Sequence, residues 1–152
     1  MNKFIGQQSK LHNSIVIQCA CVGTCTYLNI SQMYKNAYSI SFATNLFDKK
    51  TLKGLDKLDG TLLDNNDLYT LYNLFKNIDI SDYSNMKIAG SNKYIGLDML
   101  KGETSKYNMY FLSFYLNEKH LSNCKPVIDI TLTSDMVKSL MKALESTLGL
   151  ES

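Results

Sequence analysis

Residues 107 to 117 read "YNMYFLSFYLN", and both alternating sets of side chains in this stretch are apolar or aromatic. In an extended chain Tyr110, Leu112, Phe114 and Leu116 share one face, while Tyr107, Met109, Phe111 and Tyr115 share the other. A strand apolar on both faces is either central in its sheet and covered twice, or it lies at a partner interface. The central placement is the expected one, so the chain needs a sheet built around this segment.

Other segments supply that sheet. In "AYSISFAT" Tyr38, Ile40 and Phe42 alternate with Ser39 and Ser41, as a half-buried strand requires. "IVIQCACVGTCTYLNI", from residue 15 to residue 30, reads as a hairpin, with Ile15, Ile17, Cys19 and Cys21 on one face, a turn through Val22, Gly23 and Thr24, and a return strand. "MKIAG", "YIGLDML" and "VIDITL" place Met86 and Ile88, then Ile95, Leu97 and Met99, then Ile128, Ile130 and Leu132 inward. Two stretches switch to helical spacing. Leu68, Leu71, Tyr72, Phe75 and Ile78 form one stripe behind capping residues among Asp64, Asn65 and Asn66, predicting a helix over about 65–78. Met136, Val137, Leu140, Met141, Leu144 and Leu148 form the other, capped by Thr133 or Ser134 and stopped by Gly149, predicting a helix over about 134–148. Residues 46 to 63 have leucines at helical spacing interrupted by Gly54 and Gly60, and are expected to form a loop with a short helical turn. The class is α+β, a mostly antiparallel sheet of about six or seven strands with two helices. With 45% hydrophobic and 20% charged residues and a single proline, Pro126, nothing resembles a linker, so residues 1–152 are expected to form one domain.

Composition and motifs exclude more chemistry than they assign. All 16 basic residues are lysine, so the chain lacks the guanidinium fork that reads phosphate, carboxylate and guanine bidentately. The P-loop, G-x-G-x-x-G and G-x-S-x-G patterns do not occur, and no catalytic set is expected. His12 and His120 stand in polar contexts that read as solvated surface. Asp56, Asp59, Asp64 and Asp67 are close in sequence but miss the EF-hand register, and Lys50, Lys53 and Lys57 offset them; a solvated loop and a helix cap are expected. Cys19, Cys21 and Cys25 have C-x-C-x3-C spacing and, with Cys124, would make four sulfur ligands for zinc. Packing as small hydrophobes is the preferred reading of these thiols, and no other cofactor is expected. The N-terminus carries no apolar run of signal-peptide length, and no uncharged apolar stretch nears the ~18 residues of a membrane span. A cytoplasmic protein with reduced thiols and no membrane attachment is the expectation.

The strand and turn "IVIQCACVGTC", then "YSISFATNLF", then the strand-to-helix end "IDITLTSDMVKSLMKALE" resemble small proteins of Firmicutes phages and prophages that open with a Cys-rich β-hairpin and close with an amphipathic helix. The quoted stretches that carry the likeness cover 39 residues. It implies a phage or bacterial origin and, as a partner, a component of host defence. The residues themselves point to a non-catalytic binding protein working by protein–protein contact. Tyr107, Tyr110 and Tyr115 are its candidate partner-binding residues, since tyrosine is enriched where an interface meets water. A single-stranded nucleic-acid binder that stacks bases on its aromatics is the first alternative. The Cys-ligated metal protein is the second, and a homodimer is among the expected assemblies.

Overall fold

Alternation in sequence becomes two antiparallel sheets around one shared core. The computed structural model describes residues 14–23, 25–45, 48–78 and 83–150. Its strands in chain order are β1 (Ser14–Ala20), β2 (Val22–Gly23), β3 (Tyr27–Tyr34), β4 (Ala37–Ala43), β5 (Thr61–Leu63), β6 (Tyr83–Lys87), β7 (Tyr94–Leu100), β8 (Met109–Tyr115) and β9 (Ile128–Thr133). The helices are α1 (Lys49–Leu58), α2 (Asn65–Lys76), α3 (Glu118–Ser122) and α4 (Ser134–Leu148), with a 3-10 turn at Ser105–Tyr107. One sheet runs β1-β3-β4-β5 and the other β2-β9-β8-β7-β6.

The α+β class is as expected, with nine strands among the described residues in place of six or seven. The additions are β2 and β5, two and three residues long, too short to carry a period. The N-terminal hairpin forms between β1 and β3, but its expected turn does something more. After Ala20 the chain leaves the first sheet, pairs Val22 and Gly23 with Thr131 and Ile130 of β9, and returns to the first sheet at Tyr27. Gly23 makes this passage at φ 115, a conformation that side-chain-bearing residues rarely adopt. Thr24, the last expected turn residue, lies outside the described residues, as do His12 and Leu46. A bulge between Ile15 and Ile17 breaks the alternation, so Ile15 is exposed while Ile17, Cys19 and Cys21 are buried.

Residues 49 to 58 correct the sequence reading most. They form a ten-residue helix, not a loop with one helical turn. Asp48 caps it, its carboxylate accepting from the backbone N–H and the hydroxyl of Thr51, each at 3.0 Å. Gly54, which argued against a helix, is there for packing: a Cβ at this position would stand 2.9 Å from Val127 Cγ1. The second helix follows the expected stripe, with Leu68, Leu71, Tyr72, Phe75 and Ile78 all buried. Its start is a capping box in which Asp64 accepts from Asp67 N–H at 2.8 Å and Asp67 accepts from Asp64 N–H at 3.0 Å. Asp67 is 4% exposed rather than solvated, and its other oxygen accepts from Ala89 N–H at 3.0 Å, tying the helix to the turn after β6. Burial raises its pKa above the usual carboxylate value. Helix α4 is capped by Thr133 and stopped by Gly149 in the left-handed region, with Val137, Leu140 and Leu144 buried. No helix among the described residues is long and apolar enough to cross a membrane.

Glycine inside an ordinary helix costs ~1 kcal/mol relative to alanine, so Gly54→Ala would normally stabilise. Here the added methyl meets Val127, and overpacking of this kind costs ~1–3 kcal/mol. Gly54→Ala is expected to lower stability in urea denaturation, and to be less costly by ~1 kcal/mol or more in a Val127→Ala background. A higher denaturation midpoint for the single variant would show that close packing is not why glycine stands there.

Candidate protein-binding face

Strand β8 is central, the third of five in its sheet, with β7 and β9 hydrogen-bonded on either side. Its two apolar faces meet different surroundings. Tyr110, Leu112 and Phe114 pair with Met99, Leu97 and Ile95 of β7 and with Leu132, Ile130 and Ile128 of β9, and together they form the inner face. Phe114 meets Phe42 of the first sheet edge to face at 5.0 Å between ring centroids. The opposite row, Met109, Phe111, Ser113 and Tyr115, belongs to a face that remains partly open.

Register specifies that face strand by strand. Tyr83 of β6 stands opposite Asp98 of β7, Asp98 opposite Phe111, and Phe111 opposite Thr131 of β9, whose other neighbour is Val22 of β2. The next row joins Leu100, Met109 and Thr133. Val22, Tyr83 and Leu100 are exposed, Leu100 to 63%, and Met109 and Phe111 are half-buried. An open groove of about 510 Å³ is lined by Asp98, Met99, Leu100, Lys101 and Phe111. At the other end of the face Gly96 leaves its position bare. A Cβ there would lie 3.2 Å from the Tyr83 hydroxyl and 3.3 Å from Tyr115 Cε2, so the two rings converge over the glycine. Tyr115 is thereby 6% exposed, and burial raises the pKa of its phenol.

The three tyrosines singled out in the sequence do not form one patch. Tyr107, on the 3-10 turn, is 63% exposed and has the Lys106 ammonium 5.9 Å from its ring centroid. Tyr110 lies on the inner face, its ring 6.4 Å from that of Phe75. Tyr115 is held against Gly96. The accessible apolar residues of the open face are therefore Val22, Tyr83, Leu100, Met109 and Phe111. The apolar second row of "YNMYFLSFYLN" pointed to two of them, Met109 and Phe111. Val22, Tyr83 and Leu100 end up beside these only through strand pairing, which has no local sequence signal.

Cysteines 19, 21 and 25 are buried, and Cys124 is exposed at φ 53 just beyond α3. Cys21 Sγ donates to the Cys25 carbonyl at 3.2 Å, and Cys19 Sγ lies 3.5 Å from the Met136 carbonyl. Burial pushes the thiols of Cys19 and Cys25 up to about 12 and that of Cys21 to about 11. Among the described residues no three His, Cys, Asp or Glu side chains come together as a metal-holding group. His120 is half-buried on α3, with Nδ1 enclosed and without a hydrogen-bond partner. No family model, no curated protein and no solved structure matches this chain.

A thiol whose pKa is raised to 11 or 12 holds on the order of one part in a thousand or less of reactive thiolate at pH 8. An aromatic disulfide reagent at pH 8 is thus expected to modify Cys124 rapidly in the folded protein, and the other three cysteines only after denaturation. Rapid modification of more than one thiol in the native state would contradict the buried, protonated assignment.

Proposed function

We propose that this chain is a non-catalytic binding protein that acts by protein–protein contact through the open face of its second sheet. The observation that carries the reading is the pair of adjoining rows containing Tyr83, Phe111 and Val22, then Leu100 and Met109, on which large apolar side chains stand exposed or half-buried. Contiguous apolar surface rimmed by polar groups is characteristic of interaction sites. Asp98 interrupts the first row between Tyr83 and Phe111, Asp129 stands opposite Ser113, and Lys87 and Lys101 lie at the margins, so the apolar rows are both bordered and interrupted by charge. Exposed Tyr107 follows closely after the β7 end of the groove in the chain. A component of host defence, implied by the phage resemblance, is the first partner to try; a second copy of the chain would use the same face.

Base stacking by single-stranded nucleic acid fits this face less well. Stacking platforms interleave aromatics with cations, whereas the row of Phe111 and Tyr83 carries the carboxylate of Asp98 between them, and the row of Ser113 carries that of Asp129.

The test is affinity capture of the tagged protein from a lysate of its source or infected host, beside a Leu100→Asp/Tyr107→Asp variant. Both positions are exposed, so the fold should survive, as circular dichroism would verify. The wild type is expected to retain one stoichiometric protein, and the variant to bind it at least ~30-fold more weakly, the loss of a ~2 kcal/mol hot spot. Equal retention by both proteins would remove this face from consideration.

A further inference from the structure

We infer that the exposed side of α1 is a binding ridge for the phosphate backbone of nucleic acid, independent of the sheet face. Four lysines, Lys49, Lys50, Lys53 and Lys57, lie in this ten-residue helix, and all four are exposed. At 3.6 residues per turn they fall within about 100° of one another around the axis, and Lys49, Lys53 and Lys57 follow each other at steps of about 6 Å along it. The buried Leu55 and Leu58 occupy the other side. Scattered in sequence, these charges are aligned by the helix.

The alignment runs against the helix's own preferences. Lys49 and Lys50 begin the helix, where the dipole favours anions, and its first turn contains no acidic residue. Lys49 with Lys53, and Lys53 with Lys57, place like charges four residues apart, a spacing at which they repel. Lys50 attracts the Asp48 carboxylate at the cap, and Lys57 stands in the last turn, where the dipole favours cations. The unfavourable features are therefore Lys49 at the start and the two like-charge spacings. Asp56, the one acid within the helix, stands at the margin of the stripe. Broken local rules without a structural return mark functional positions.

The chemistry of the ridge selects its ligand. Leu55 and Leu58 are in the core and Leu52 alone is exposed, too little apolar surface to anchor the helix in a lipid surface. It presents no aromatic anchor, and lysine is depleted in protein interfaces. A row of ammonium groups at regular spacing does match a row of phosphates. Without arginine, the contacts are point charges to the backbone and carry no base readout.

The test is fluorescence anisotropy with labelled single-stranded and duplex 20-mers of two unrelated sequences, from ~25 to ~200 mM salt. Binding is expected to be independent of sequence, with affinity falling as about the third power of salt concentration if four phosphates are engaged. Lys49→Gln/Lys50→Gln/Lys53→Gln/Lys57→Gln should weaken binding at least 10-fold and flatten the salt slope, with no loss of thermal stability since it removes repulsion. Lys138→Gln/Lys142→Gln on α4 should change neither. Preference for one oligonucleotide form would identify the source of the phosphates. Absence of binding to both forms at ~25 mM salt, equal binding by the quadruple variant, or binding only to polyglutamate would overturn the inference.

Discussion

The fold depends on α4 having two sheets to lie against. The helix packs on β1 of the first sheet, on β8 and β9 of the second, and on α2, so its buried stripe of Val137, Leu140 and Leu144 closes a core that neither sheet could close alone. Polar contacts fix its position at both ends. Cys19 Sγ of β1 lies 3.5 Å from the Met136 carbonyl in the first turn, and Tyr72 of α2 donates to Glu145 near the last turn at 2.7 Å. Where the sheets approach each other directly, Phe42 and Phe114 fill the gap edge to face.

This arrangement accounts for the asymmetry of β8. The core uses one of its apolar rows, and the other is left on a face where only Tyr115 is well covered, by way of the bare position at Gly96. The doubly apolar strand thus meets only part of the expectation for a central strand, being covered on one face and partly open on the other. It is central in its sheet, and it also contributes to a surface with unfilled apolar contacts.

Legibility in the sequence followed the range of the interactions involved. The stripes of α2 and α4 and the inward rows of β7, β8 and β9 were readable because each side chain's fate is set by the period of its own segment. Asp64 and Gly149 were readable as caps for the same reason. What failed to show was non-local. Gly54 looked like a helix breaker because Val127, the residue that makes glycine necessary, is more than seventy positions away. Strand β2 has two residues and exists only because β9 is beside it. Tyr110 and Tyr115 belonged to the expected binding set, yet their places beside Phe75 and over Gly96 come from packing between distant segments. The lysine ridge was hidden with α1 itself, since lysines in a loop do not line up.

The crossing at Cys21 has a consequence for the order in which the chain can become native during synthesis. Strands β1, β3, β4 and β5 all precede residue 64 and can pair as they emerge. The two residues that leave this sheet for β9 must wait until Ile130 and Thr131 have been made, and the helix that covers β1 comes later still. Until then the N-terminal sheet keeps its inner face, with Ile17 and Cys19 of β1, uncovered. The core that joins the two sheets therefore closes last, when residues 128–148 reach strands that are already paired.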